Sequence, residues 1–415
     1  MKPKKILLVA GEVSGDLHGS HLVEAIQSVA PEIQFFGVGG EGLKKAGMKL
    51  LYPSQSLSVV GVTEVFFKLR AILKALRGLK ISIDRERPDL VILIDFPDFN
   101  LQLARIAHRR GIPILYYISP QVWAWRPKRI ELIARLVKKM IVLFPFEAPL
   151  YEAAGVDVEW VGHPLLDTVR PTLPKEKAFQ QFGLDPKRRT VGLLPGSRMR
   201  EVERLLPPLL ASAHLLQEGI PDLQFVIPLA PGISKATLSP WMKNISVPVT
   251  VVEGFTYDVM NLSELLIAAS GTATLEGAIL GKPMIIIYKV SLVSSWIGRA
   301  LIRVDHVGLV NLVAEKEIAP ELLQKEVNPQ RIADEAFRIL RDPILSRKMI
   351  ESMNAVRQKL GEPGAANELP TSWFPCCKKG KPKKSLEIEK WRMKRFSFCI
   401  FHITLYIDNE TGLKE

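Results

Sequence analysis

Five short segments gather glycine, carboxylate, hydroxyl and guanidinium groups at points where an apolar run ends. The first, G-E-V-S-G-D-L-H-G over Gly11–Gly19, carries Glu12, Ser14, Asp16 and His18. Its glycines are four apart, which matches neither G-x-G-x-x-G nor a Walker A loop. Glycine still permits close backbone approach, and a loop feeding a helix start favours an anion, so Ser14 and Gly15 are candidate ligand contacts. The second, I-D-F-P-D-F-N, offers Asp98 as a general base at a strand mouth, with Asn100 beside it. Asp95, inside the apolar run, reads as a structural acceptor of backbone amides. The third, Y-Y-I-S-P-Q-V-W-A-W-R-P-K-R, packs Gln121, Trp123, Arg126 and Arg129 together. Trp and Arg can grip sugar faces or phosphate. The same interleaving suits single-stranded nucleic acid, but one segment without a wider basic groove argues against it.

The last two segments complement each other. L-L-P-G-S-R-M-R-E-V-E presents Gly196, Ser197 and Arg198, whose amides, hydroxyl and guanidinium suit a diphosphate. S-G-T-A-T-L-E-G-A-I-L-G-K-P places Ser270, Gly271, Thr272 and Thr274 at a helix start, with Glu276 in its first turn. That arrangement suits a phosphate on the helix end and a carboxylate on ribose hydroxyls. The plainer alternative is an N-cap with a glutamate favoured by the helix dipole. No D-x-D stands in a convincing loop and no His/Cys cluster has ligand spacing, so neither a metal nor a cofactor is expected.

These segments need strands and helices to hold them. Ile6–Ala10, Leu90–Ile94, Ile114–Ile118 and Lys139–Leu143 read as strands buried on both faces, as in a parallel sheet. Amphipathic stretches at Gly19–Val29, Leu101–Arg110 and Pro127–Leu136 alternate with them. A second set follows at Thr190–Leu194, Gln224–Pro228, Val249–Glu253, Leu265–Ala269 and Pro283–Tyr288, with helices near Arg200–Gln217, Thr272–Leu280 and Asn328–Leu340. The expected fold is α/β, two tandem doubly wound units. Such units bind ligands beyond the carboxyl ends of their strands. The expected boundaries are 1–167, 168–366 and an atypical, poorly ordered tail, 367–415.

Composition narrows the partners. The 415 residues are 47% hydrophobic and 24% charged, ordinary for a globular chain. Lys plus Arg exceeds Asp plus Glu by 13, which favours anionic partners without choosing among them. Cys376, Cys377 and Cys399 all lie in the tail, which excludes a disulfide framework for the body and fits a reducing compartment. No run reaches the roughly 18 to 20 apolar residues of a spanning helix. Over Thr63–Lys80, Val65, Leu69, Ile72, Leu73, Leu76 and Leu79 form one helical stripe, with five basic residues and the off-stripe Phe67. Such a stripe faces either a core or, with Phe66 and Phe67 joining it, a membrane surface.

Taken in order, these motifs closely resemble the lipid-A-disaccharide synthase family. The resemblance runs through Gly11–Gly19, Ile94–Asn100, Tyr117–Arg129, F-P-F-E at Phe144–Glu147 and G-H-P-L-L-D at Gly162–Asp167. It continues through Leu193–Glu201, Ser270–Lys289 and Asn311–Gln324, covering about residues 4–366. It implies a GT-B fold of two Rossmann-like domains and an inverting, metal-independent glycosyltransfer. The implied donor is UDP-2,3-diacylglucosamine, the acceptor 2,3-diacylglucosamine 1-phosphate, and the product the β-1,6-linked disaccharide 1-phosphate. It implies a cytoplasmic protein peripheral to the inner membrane, without nucleic acid, which could pair as a homodimer. In that frame Asp98 is the base, with Glu12, Asp16 and His18 as alternatives. Arg198 meets the departing UDP, and Glu276 holds the ribose. After Ala366 the chain departs from the family, where relatives continue into a closing helix. Two other readings stand beside this one: a UDP-sugar 2-epimerase, which needs no acyl-binding surface, and a non-catalytic nucleotide-binding module.

Overall fold

The computed structural model describes residues 4–57, 62–120, 129–243, 245, 247–290 and 306–363. The described residues divide into two compact units, one running to Pro164 and rejoined at Gly361, the other Leu165–Leu360; the expected tail, 367–415, lies outside the described residues. The first junction falls slightly ahead of the expected 167/168. The second falls at Gly361 because the chain packs there against the first unit. With φ at +99°, Gly361 would bring a Cβ within 3.1 Å of Gly162 Cα and 3.3 Å of Trp160.

The first unit holds seven parallel strands: β1 (Lys5–Ala10), β2 (Gln34–Gly39), β3 (Lys49–Pro53), β4 (Leu90–Ile94), β5 (Ile114–Tyr117), β6 (Lys139–Val142) and β7 (Asp157–Trp160). Their order is β3-β2-β1-β4-β5-β6-β7. Alternation sends Ile6, Leu8, Ala10, Ile92 and Ile94 to one face and Leu7, Val9, Val91 and Leu93 to the other, all fully buried. Parallel sheets require such two-sided cover, which is why these strands read as continuous apolar runs. Part of that cover comes from α1 (Val13–Gln27), α2 (Glu41–Lys45), α3 (Val62–Glu86) and α4 (Pro97–His108). Because α1 starts at Val13, Ser14, Gly15, Asp16 and His18 are helical, where the sequence suggested a loop.

The described part of α3 corrects the membrane assignment of two residues. Ala75, Leu79 and Ile83 are fully buried, and Ile72 and Leu76 pack partly buried on the same core. The sheet face needs an apolar cover, and this stripe provides it. Leu73 and Ile81, by contrast, are 42% and 64% exposed. With Tyr52, Arg70, Lys74 and Arg77 they line a groove of about 440 Å³. Val65, Phe66, Phe67 and Leu69 belong to the helix, but their side chains lie outside the described residues.

The second unit holds six parallel strands: β8 (Arg189–Leu194), β9 (Leu223–Leu229), β10 (Val249–Glu253), β11 (Leu265–Ala269), β12 (Met284–Tyr288) and β13 (Glu321–Leu323). Their order is β10-β9-β8-β11-β12-β13. Buried Asp258 pins the entry segment by accepting the Thr172 amide at 2.8 Å, its hydroxyl at 2.9 Å and the Leu173 amide at 2.7 Å. Among the described residues no helix is long and apolar enough to cross a membrane.

In both sheets the strand order reverses direction once, between β1 and β4 and between β8 and β11. A ligand crevice opens outside the carboxyl ends at such a switch point. Four of the five sequence segments stand at these two places.

Candidate active site

At the first switch point, β1 leads into Gly11–Glu12 and β4 leads into Asp95–Phe96. Asp95 and Phe96 take φ of +46° and +47°, left-handed values in consecutive non-glycine residues. Side chains there are strained, and such strain persists only where surrounding contacts impose it. Those contacts are present. The Asp95 carbonyl accepts Asn100 Nδ2 and the Tyr116 hydroxyl, both at 2.7 Å, from fully buried side chains. The Phe96 ring occupies the space where a Cβ on Gly11 would sit, so Gly11 serves this packing.

Asp95 is the perturbed carboxyl of this mouth. Burial, then the nearby charge of Glu12, push its pKa up to about 6, against a smaller lowering by the Phe96 amide. Asp98 has a different setting. Its side chain is 77% exposed in the first turn of α4 and pairs with the Arg129 guanidinium.

Several expected contacts have structural tasks instead. The Asp16 carboxylate accepts the amides of Gly40 at 2.6 Å, Gly42 at 2.9 Å and Leu43 at 3.1 Å, holding the start of α2. Asn100 is fully buried and clamps the turn after β4, so it offers nothing to an acceptor. Gly15 and Gly19 let α1 approach the sheet; a Cβ on either would lie within 3.3 Å of Ile94. Burial, with His21 beside it, lowers His18 to about 4, and burial plus His18 lowers His163 to about 3. An imidazole so shifted is neutral and only weakly basic at pH 7, which makes His18 a poorer base than a group raised toward that pH. Ser14 and Glu12 are exposed at the start of α1. Gln121, Trp123 and Arg126 lie outside the described residues.

At the second switch point, β8 runs into Pro195-Gly196-Ser197-Arg198 and β11 into Ser270-Gly271-Thr272. The amides of Ser197 and Arg198 already bond Glu201 Oε2, at 3.1 and 3.3 Å. They are therefore not the open donors that the motif suggested. Ser270 donates its hydroxyl to the Val307 carbonyl, and buried Thr274 donates its own to the Gly271 carbonyl, so both hydroxyls are engaged. Among the described residues, what remains open is the start of the helix Thr272–Ile279: Thr272 is exposed, and a Cβ on Gly271 would meet none of them within 4 Å.

Glu276 stands behind that opening. Burial alone pushes its carboxyl up to about 7. Burial drives the neighbouring Tyr257 phenol to about 12, with the Glu276 charge adding to the rise and a hydrogen bond with Thr168 opposing it. Tyr288, at the end of β12, is raised by burial and by Glu201 and lowered by Arg198, so it borders that ion pair. Neither tyrosine was visible in the sequence as a site residue. Only the end of an apolar strand, where β12 stops, could have flagged Tyr288. Among the described residues no group of three or more His, Cys, Asp or Glu side chains could hold a metal ion.

Comparison with known proteins places these two mouths in context. The chain resembles a UDP-GlcNAc 2-epimerase from Neisseria meningitidis solved with UDP-GlcNAc, at a TM-score of 0.58 and 14% identity over 86% of this chain and 97% of that one. It resembles CalG4, the calicheamicin glycosyltransferase, at a TM-score of 0.55 and 16% identity over 88% and 97%. At such identities the likeness shows the GT-B fold alone. Sequence relatives decide between the two chemistries. Lipid-A-disaccharide synthase from Syntrophus aciditrophicus is 51% identical over 88% of this chain and 96% of its own length. That from Geobacter sulfurreducens is 47% identical over 88% and 95%. The family model described as lipid-A-disaccharide synthetase matches residues 6–367, ending where the composition of the chain changes. The chain therefore belongs to the lipid-A-disaccharide synthase family and is a UDP-sugar glycosyltransferase.

Proposed function

We propose that the enzyme joins UDP-2,3-diacylglucosamine to 2,3-diacylglucosamine 1-phosphate with inversion at the anomeric carbon, giving the β-1,6-linked disaccharide 1-phosphate and UDP. Family membership supports the reaction class. The observation that carries the residue assignment is the content of the two switch points. One holds a strained, half-buried carboxyl raised to about 6; the other holds an exposed helix start with a half-buried carboxyl raised to about 7 on the same helix.

In this reading the general base is Asp95, in preference to the Asp98 suggested by sequence. A base works best with a pKa near the working pH, which fits a carboxyl raised to about 6. Asp98, ion-paired with Arg129, keeps that guanidinium in place as a seat for the acceptor phosphate. The exposed first turn of α1, at Ser14, is a second seat for the same group. Asp95 takes the proton of the acceptor 6′-hydroxyl as its oxygen attacks the donor anomeric carbon. The bond from that carbon to the diphosphate oxygen breaks, and UDP leaves with the electron pair. Arg198 and the helix start at Thr272 meet the growing negative charge. Glu276 accepts the ribose hydroxyls.

Acylated substrates bring the enzyme to a lipid surface, and the groove on α3 supports a peripheral seat on the cytoplasmic face of the inner membrane. Exposed Leu73 and Ile81 lie there among Arg70, Lys74 and Arg77, a mixture suited to anionic headgroups. The decisive experiment incubates the protein with both acylated substrates in detergent and follows UDP and disaccharide by mass spectrometry, with the anomeric configuration read by NMR. UDP released without disaccharide, or an α-linked product, would overturn this reading. Asp95→Asn should retain UDP and lose turnover.

A further inference from the structure

Glu201 is not part of the transfer mechanism above, yet it organises the loop that carries Arg198. Oε2 accepts the amides of Ser197 and Arg198, at 3.1 and 3.3 Å, and Oε1 accepts Arg198 Nη1 at 3.3 Å. Gly196, at φ +113°, leaves room for this side chain; a Cβ there would stand 2.7 Å from Glu201 Cβ. Among the described residues Glu201 is the one side chain bonded to the Arg198 guanidinium. Arg198 itself is 56% exposed, and an arginine without such a partner samples many rotamers.

A carboxylate on the loop amides has two consequences. It fills the donors that a diphosphate would otherwise take, and a second anion on the same amides is repelled. The diphosphate must then be met by the guanidinium's remaining N–H groups and by the helix start at Thr272. Glu201 takes one edge of the guanidinium and leaves the rest of its fork open.

We infer that Glu201 is a positioning residue for the transfer step: it fixes the Pro195–Arg198 turn and the orientation in which Arg198 presents its free edge to the departing diphosphate. The inference rests on the reading of Arg198 given above. An ordinary helix cap would use the same amide bonds, so the test must separate capping from action through Arg198.

A double-mutant cycle does so. Glu201→Gln keeps an oxygen for the two amides and removes the charge that aligns Arg198. Alone, it should lower kcat about tenfold, part of the 10²–10³ that a lost charge-stabilising donor removes. On an Arg198→Ala background it should change kcat less than about twofold, because the coupled partner is gone. Glu201→Asp, which keeps the charge but draws it back by one methylene, is the second variant should the glutamine form not fold, with the same expectation. The cycle is also read on UDP affinity. That arm stays informative if the acylated substrates prove wrong, because it needs only UDP. Equal losses in the parent and in the Arg198→Ala variant would make Glu201 a cap and overturn the inference. So would a single variant with kcat and UDP affinity both within about twofold of the parent, since coupled contacts carry more than that.

Discussion

Replacing Glu276 by glutamine should abolish a fall in the stability of the empty enzyme between pH 5 and pH 8 and weaken its grip on UDP. The carboxyl is raised to about 7 by burial alone. In the unfolded chain it ionises near its ordinary value of 4.5. Between those values the folded state holds a proton that the unfolded state has released, so stability falls as pH rises. The contribution is complete below about pH 4.5 and lost once pH passes through the folded value near 7. From pH 5 to pH 8 the loss amounts to about 2.5 kcal/mol. Glutamine does not titrate, so Glu276→Gln should escape this fall. An unpartnered buried amide shifts the variant by a constant and leaves the pH dependence untouched. For a unit of this size the difference is about 5–10 °C in Tm. Melts of parent and variant at pH 5, 6, 7 and 8 read it directly, and the titration of Asp95 cancels between the two. Calorimetry with UDP supplies the second arm. A charged acceptor for ribose hydroxyls contributes about 1.5–3 kcal/mol per bond, so affinity at pH 8 should drop about 10- to 100-fold. Parallel melting curves across the pH range would refute the raised carboxyl. Diverging melts with unchanged UDP affinity would leave Glu276 buried but remove it from the nucleotide site.

Asp95→Asn should lower kcat by about 10²–10⁴ and keep UDP affinity, while Asp98→Asn should lose no more than about tenfold; the reverse ranking would return the base to Asp98. With Asp95 as base, kcat/KM in the parent should rise with pH through about 6 on its acid limb, and a flat limb from pH 5 to 7 would contradict the assignment. Arg198→Ala should weaken UDP binding and cut kcat about 10²–10³-fold, and EDTA should leave turnover unchanged; chelator inhibition reversed by magnesium would show a metal in the step. Leu73→Ser with Ile81→Ser should reduce binding to anionic vesicles without lowering Tm, whereas Ile72→Ala with Leu76→Ala, at half-buried sites, should lower Tm through about 1–2 kcal/mol per site. Vesicle binding unchanged in the first pair would move the membrane contact elsewhere.

Much of the fold was legible in the chain because parallel strands advertise themselves. Burial on both faces makes β4 and β11 uninterrupted apolar runs, and their observed limits coincide with the expected ones, as do those of the half-buried edge strand β10. β2 and β3 escaped notice. Q-F-F-G-V-G is broken by two glycines, and β3 shows only half-buried or exposed residues, so neither presents a clean run. The helix α1 started earlier than the glycine spacing suggested, because its glycines serve helix–sheet contact and not a flexible loop.

Motif and position in the chain were enough to mark the P-G-S-R and S-G-T segments and Glu276 as strand-end features. They also established the family through an ordered series of such segments. Which atoms of those segments remain open was decided only by tertiary contacts. Asp16 looked free until Gly40, Gly42 and Leu43 came to it from α2, and Asn100 looked available until β4 and β5 closed around it. The proposal of Asp95 over Asp98 rests on the raised carboxyl, the left-handed turn and the approach of Glu12, none of which lies in local sequence. The α3 stripe is equally ambiguous in one dimension. Its periodicity demands an apolar partner, and only packing on the sheet showed that Ile72 and Leu76 have one while Leu73 and Ile81 face outward. Local pattern determines where polar groups can appear along a strand or helix; a group's free lone pairs, charge state and exposure are set by whatever distant part of the chain folds against it.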